Sequence, residues 1–133
     1  MGGRALILLD THAWIWWIDG SSRLGEKAGR AIAAAIVEGG VSASAISCWE
    51  IAMLARKGRL DLTVPVEDWI SRCEALPYFS VLPIDSRIAI RGAQLEMSHG
   101  DPADRLIVAT ALSVGATVIT KDRQLAQHVP TLW

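Results

Sequence analysis

A chain of 133 residues, 51% hydrophobic and 20% charged, is the size of one globular domain, 1–133, able to bury roughly two thirds of its unfolded surface. Thirteen Lys+Arg against fourteen Asp+Glu leave a net charge of −1, so no overall basic field advertises a nucleic-acid partner, although acids committed to a cation would leave the remaining surface mildly basic. Cys48 and Cys73 have no CxxC pairing and no companion His; that excludes a disulfide framework and a zinc spacing, and both read as reduced core thiols.

Arg4 and an apolar run open the chain, but Asp10 interrupts the run and no small-residue cleavage site follows, which argues against a secretory signal and for a cytoplasmic protein. The first strand is predicted over Ala5–Leu9. An apolar turn of helix, Ala13–Ile18, comes next, then a small-residue helix from Leu24 to Glu38 that Gly39 and Gly40 close. A second strand is predicted over Val41–Ala45, and a helix over Ser47–Lys57 that Gly58 ends.

Pro65 opens an amphipathic helix in which Val66, Trp69, Ile70, Cys73 and Leu76 recur at three and four residues, until Pro77 stops it. A third strand is expected over Val81–Ile84. Asp85 then caps a helix whose Ile84, Ile88, Gly92 and Leu95 share a face. Asp101 and Pro102 start another, which runs to Gly115. The fourth strand is Thr117–Thr120, and the tail from Val129 to Trp133 suits a short edge strand. Strands alternating with helices over such distances imply an α/β fold with a parallel sheet covered on both faces. The longest uncharged run, Leu106 to Thr120, is too short for a membrane span and is broken by Gly115.

Four carboxylates stand where a soluble chain gains least from them: Asp10 and Asp122 just after apolar strands, Glu50 inside an apolar helix stripe, and Asp104 just inside a helix start. In an open parallel sheet, ligands bind beyond the carboxyl ends of the strands, where Asp10 and Asp122 fall. Glu50 shares a helix face with Ile46, Met53 and Leu54, and a carboxylate there is costly to desolvate unless a cation or strong donors meet it. Asp101 suits an N-cap, while its i,i+3 spacing to Asp104 places the two carboxylates side by side at a helix amino terminus. If the fold gathers these acids, two bare carboxylates about 4 Å apart repel by roughly 4 kcal/mol at an effective dielectric of about 20. Such a cluster must take up protons or hold a cation.

The motifs Leu8-Leu9-Asp10-Thr11-His12, Ser47-Cys48-Trp49-Glu50-Ile51-Ala52, Asp101-Pro102-Ala103-Asp104-Arg105-Leu106-Ile107-Val108-Ala109-Thr110-Ala111 and Thr120-Lys121-Asp122 resemble, in order and spacing, the four acidic motifs of PIN-domain nucleases. The VapC-type toxin ribonucleases of bacterial toxin–antitoxin pairs are the most similar group. The resemblance implies a three-layer α/β/α sandwich with a central parallel sheet. It makes Asp10, Glu50, Asp104 and Asp122 the catalytic, metal-holding acids, with Asp101 an accessory acid. It makes Thr11 and Thr120 the polar neighbours that support them or coordinate through water. It also implies an RNA substrate, a homodimer and a small neutralising antitoxin.

All-carboxylate ligation suits Mg²⁺ or Mn²⁺, as one or two ions, because hard cations prefer oxygen. Bound there, such ions activate a water and neutralise charge on a phosphodiester, with no Ser, Cys or His nucleophile required. Arg105, Lys121 and Arg123 adjoin the acids in sequence and are candidates to position the phosphate backbone. His12, His99 and His128 show no ligand spacing and receive no catalytic role. Trp14, Trp16 and Trp17 are too many large rings for one helix face, so at least one is expected to meet a partner chain. Two alternatives differ in class. One is a phosphohydrolase on a similar open sheet, disfavoured because His12 stands where a second Asp would be wanted; the other is a noncatalytic module that docks a basic peptide in the acidic pocket.

Overall fold

Alternation along the first strand decides the layering. In the computed structural model, which describes residues 6–97 and 101–133, β1 (Ile7–Leu9) is buried throughout. Ile7 and Leu9 enter one hydrophobic core and Leu8 the other, as the period-two geometry of a strand requires. The remaining elements follow as α1 (Thr11–Asp19), α2 (Glu26–Glu38), β2 (Val41–Ser44), α3 (Ala45–Arg56), α4 (Val66–Glu74), β3 (Phe79–Leu82), α5 (Ser86–Gln94), α6 (Pro102–Val114) and β4 (Thr117–Ile119). A 3-10 turn, Arg123–Gln127, and a two-residue β5 (Thr131–Leu132) complete the order.

The five strands pair in the order β3-β2-β1-β4-β5, every pair parallel. One core joins the sheet to Trp14 of α1, Ile32 of α2, Ile51 of α3 and Trp69 of α4. The opposite core joins it to Ile107, Val108 and Ala111 of α6 and to Leu125 of the 3-10 turn. This is the α/β/α sandwich expected above. Because β2 and β4 flank β1 on opposite sides, the chain leaves the central strands in opposite directions, and the crevice this opens lies at their carboxyl ends. No helix among the described residues is long and apolar enough to cross a membrane.

Several boundaries differ from the sequence-based expectation, each for a local reason. The third strand runs Phe79–Leu82 rather than Val81–Ile84: Phe79 pairs with Val41, and Pro83, which has no N–H for a ladder, ends it. Ser44 caps α3 by accepting from the Ile46 N–H at 3.2 Å, so that helix begins two residues early. Gly25, not Leu24, precedes α2. Gly115 ends α6 with φ 71°, a left-handed conformation that glycine adopts at little cost. Arg4, Ala5 and His99 lie outside the described residues.

Candidate active site

Asp10 follows β1 directly and serves as the N-cap of α1. Its Oδ1 accepts from the Ala13 N–H at 2.8 Å, and its backbone N–H holds β4 through the Ile119 carbonyl at 3.0 Å. Its second oxygen accepts from the Thr120 hydroxyl at 2.5 Å, and Thr120 Oγ1 in turn accepts from the Asp122 N–H at 3.0 Å. The ends of β1 and β4 are thereby joined through side chains. Burial pushes the Asp10 carboxyl above its ordinary value of 3.8, against the Thr120 and Ala13 hydrogen bonds and the charge of His12, and the nearby Asp122 charge adds to the rise.

Glu50 reaches the same region from α3. It accepts from the Thr11 hydroxyl, and Thr11 Oγ1 lies 2.9 Å from Ser47 Oγ. A hydroxyl carries one proton, so with the Thr11 proton on Glu50 the buried Ser47 supplies the proton of the second contact. Among the described residues Glu50 takes part in no ion pair. Burial again raises the carboxyl from its ordinary 4.5; Thr11 and His12 lower it, while the charges of Asp101 and Asp10 push it further up.

Asp122 caps the 3-10 turn by accepting from the Gln124 N–H at 2.9 Å. Asp101 caps α6 by accepting from the Ala103 N–H at 3.0 Å, as its place before Pro102 predicts. Asp104 stands half-buried in the first turn of α6. The acids feel one another's charge in three links, Asp10 with Asp122, Glu50 with Asp10, and Glu50 with Asp101. No group of three or more His, Cys, Asp or Glu side chains among the described residues is gathered closely enough to hold a metal ion as it stands. The donor set nevertheless fits a hard divalent cation bound partly through water: the acids supply only oxygen, and a cation would favour the charged form of Asp10 and Glu50 that burial, and to a lesser degree the neighbouring acids, oppose.

The cationic side chains divide. Lys121 is exposed and lines a cavity of about 260 Å³ together with Asp10, Asp122, His12, Trp16 and Trp133, and Arg123 is exposed beside it. Arg105 is otherwise engaged. Its guanidinium donates to the carbonyls of Leu95 at 2.7 Å, Gly92 at 3.2 Å and Met97 at 3.3 Å, tying α6 to the end of α5. The expectation that it positions phosphate therefore gives way to a structural role, because carbonyls left over at a helix end are strong acceptors.

The tryptophans divide as well. Trp14 is fully buried against Trp69 and Phe79, and Trp17 packs on Tyr78 and Phe79, so core packing claims both. Trp16 alone of the three turns toward the acids. Sequence reasoning assigned no role to Ser47, whose i,i+3 spacing to Glu50 puts both on one helix face, or to Trp133, which no local pattern connects to the site.

The family model described as PIN domain matches residues 7–129. The chain is 37% identical over 123 residues to Ribonuclease VapC22 of Mycobacterium tuberculosis (strain ATCC 25618 / H37Rv), covering 92% of this chain and 91% of that protein. Among solved structures, FitAcB from Neisseria gonorrhoeae is similar at 26% identity and a TM-score of 0.66, with 96% of each chain covered. A toxin–antitoxin complex from Klebsiella pneumoniae shares the fold at 23% identity and a TM-score of 0.66, again over 96% of each chain.

Proposed function

The chain belongs to the PIN-domain family, and from that premise we propose that it is a metal-dependent endoribonuclease toxin, hydrolysing RNA phosphodiester bonds and neutralised by a small cognate antitoxin. The observation that carries this reading is the convergence of acids at the carboxyl ends of β1 and β4, where Asp10, braced by Thr120, feels the charge of Asp122, and Glu50 feels those of Asp10 and Asp101. Its likeness to a protein named as a VapC ribonuclease supports the same chemistry. In this reading the protein acts in the cytoplasm as a homodimer, which would cover apolar surface such as Trp49 and Ile90, 58% and 57% exposed.

Asp10, Glu50, Asp104 and Asp122 are the residues that would hold Mg²⁺ or Mn²⁺, one ion or two, with Asp101 as an accessory. Such an ion, when bound, lowers the pKa of a water and neutralises charge on the phosphate. The chain's own groups prepare the ground. The Thr120 and Thr11 hydroxyls each donate to one carboxylate oxygen of Asp10 and Glu50, fixing the carboxylate planes and leaving other lone pairs for a cation or its waters. Lys121 and Arg123 offer positive charge at the rim to an incoming phosphate backbone. Raised carboxyls hold protons to a higher pH, so protons compete with the cation and cleavage should fall as the medium becomes acidic.

The test is cleavage of RNA by purified protein with added Mg²⁺ or Mn²⁺ and with EDTA. Strand scission that requires the cation, and disappears in Asp10→Asn and Glu50→Gln protein of unchanged fold, is the expected result. Undiminished cleavage in thoroughly chelated, contaminant-free protein would defeat it.

A further inference from the structure

Beside the carboxylates stands a wall of rings that the chemistry above does not use. The cavity containing Asp10 and Asp122 is closed by His12, Trp16 and Trp133 and has a volume of about 260 Å³. His12 lies 5.5 Å from Trp16 between centroids, tilted by 49°, and Trp133 meets Trp16 edge-on at 5.7 Å and 65°. Both tryptophans are half-buried and His12 is exposed, so ring surface remains open to a ligand, in contrast to Trp14 in the core.

Two devices hold Trp133 in place. The Thr120 N–H donates to the Leu132 carbonyl at 3.1 Å, so the same Thr120 that braces Asp10 also anchors the segment leading to the ring. Gly25 makes room: a Cβ there would lie 2.6 Å from the Trp133 carbonyl and 2.7 Å from its Cδ1. Charge then selects among ligands. Lys121 lines the cavity beside Asp10 and Asp122, and outside it the Arg23 guanidinium lies over the Trp16 ring, 6.0 Å from its centroid, so Trp133 offers the freer ring face and cations stand at the rim of an acidic floor. With Asp10 and Asp122 engaged by a divalent cation, as the proposed function has it, the charge left along the wall is that of Lys121 and suits the backbone of a nucleotide.

We propose that this cavity is a subsite for one unpaired nucleobase adjoining the phosphate that is cut, stacked on the Trp16–Trp133 wall, with Lys121 toward its backbone. The inference rests on the ribonuclease reading and adds to it a place for one base beside the cut. A base held in a duplex keeps its own stacking partners, whereas an exposed base gains on aromatic rings and every base has a face to offer.

The test uses an RNA whose cut has been mapped with wild-type protein, bound to Glu50→Gln protein and followed by anisotropy. Trp133→Ala should weaken binding about tenfold, the low to middle part of the range for base–aromatic stacking, while Trp133→Phe should hold most of the affinity. An abasic nucleotide at the cut should weaken binding to the ring-intact protein by a similar factor and leave binding to Trp133→Ala unchanged, a coupling that a purely structural tryptophan would not produce. Should Trp133→Ala fail to fold, 2-aminopurine at that nucleotide reports directly: its fluorescence should drop on binding the ring-intact protein. Equal abasic losses in both proteins, an unquenched 2-aminopurine, or ring variants that lose antitoxin but not RNA would each overturn the proposal. Ring variants that cut and bind like wild type would sink it while leaving the ribonuclease reading intact; no RNA cleavage by wild-type protein would remove that reading and this proposal together.

Discussion

Two helices of this protein begin in nearly the same way, and only one of the two turns belongs to the site. Asp10 caps α1 with φ −72° and ψ 175°, accepting from the Ala13 N–H at 2.8 Å. Asp85 caps α5 with φ −87° and ψ −179°, accepting from the Ile88 N–H at 2.9 Å. What separates them is the strand each one follows. Asp85 comes after β3, at the edge of the sheet, and stays exposed. Asp10 comes after β1, between β2 and β4, where Thr120, Asp122 and Glu50 converge. Capping is a local property of sequence, whereas a charge cluster is a property of strand order.

The largest expected effect breaks this pair apart. Asn remains a good N-cap, so Asp10→Asn should leave α1 intact and still cost at least about a hundredfold in RNA cleavage, a loss of about 2.7 kcal/mol or more in transition-state stabilisation. The stability of the metal-free protein should hold or rise, since like-charge repulsion is removed. Cleavage rates set beside a thermal melt check both halves, and a variant that melted early would show the carboxylate to be structural.

Next in size is the response to pH and cation. The native carboxyls of Asp10 and Glu50 sit above their ordinary values of 3.8 and 4.5. Between the unfolded and native values the native state therefore binds more protons, and the stability these groups contribute is lost as pH rises through that window. The difference in melting temperature between wild-type and Asp10→Asn metal-free protein should accordingly shift in favour of the variant as pH rises. Added Mg²⁺ or Mn²⁺ should recover wild-type stability by mass action, more at neutral pH than in acid. A cation that stabilised Asp10→Asn as strongly as wild type would place its binding elsewhere.

Thr120→Val is a finer probe of the same turn. It keeps the buried volume but removes the donor to Asp10 and the acceptor for the Asp122 N–H, leaving groups in need of partners at a cost of about 1–3 kcal/mol. Losing a bond that lowers the Asp10 carboxyl should drive it further up and move the acid limb of the cleavage profile to higher pH. An unmoved limb would mean that Thr120 braces the backbone alone.

How far the sequence exposes all this depends on whether the signal is local. Asp10, Asp85 and Asp101 announce themselves because a short polar residue after an apolar run or before a helix has one common use, and the alternation of strands and helices suffices for the layered fold. Glu50 is legible because its helix neighbours are apolar. The third strand is misplaced by two residues because Val81-Leu82-Pro83-Ile84 looks β-rich, while the pairing of Phe79 with Val41 is a long-range fact. Arg105 misleads for the same reason. Its acid neighbours in sequence suggest phosphate, and the carbonyls it meets come from a different helix end. The ring wall joins His12 and Trp16, which their i,i+4 spacing on α1 already pairs, to Trp133, which only the pairing of β5 with β4 brings to them.

The smallest effect completes the comparison at the edge turn. Asp85→Ala removes one capping hydrogen bond from an exposed helix start and should cost about 1 kcal/mol of stability, whereas Asp85→Asn should cost next to nothing because the amide oxygen still reaches the Ile88 N–H. Neither should change RNA cleavage measured well below the melting temperature, since the Asp85 charge does not act on Asp10 or Glu50. That silence gives the Asp10→Asn result its meaning. Two aspartates with matching caps would then differ only in what the strand order places around them, and a loss of activity at Asp85 of the size seen at Asp10 would show that helix capping, rather than the charge cluster, sets the rate.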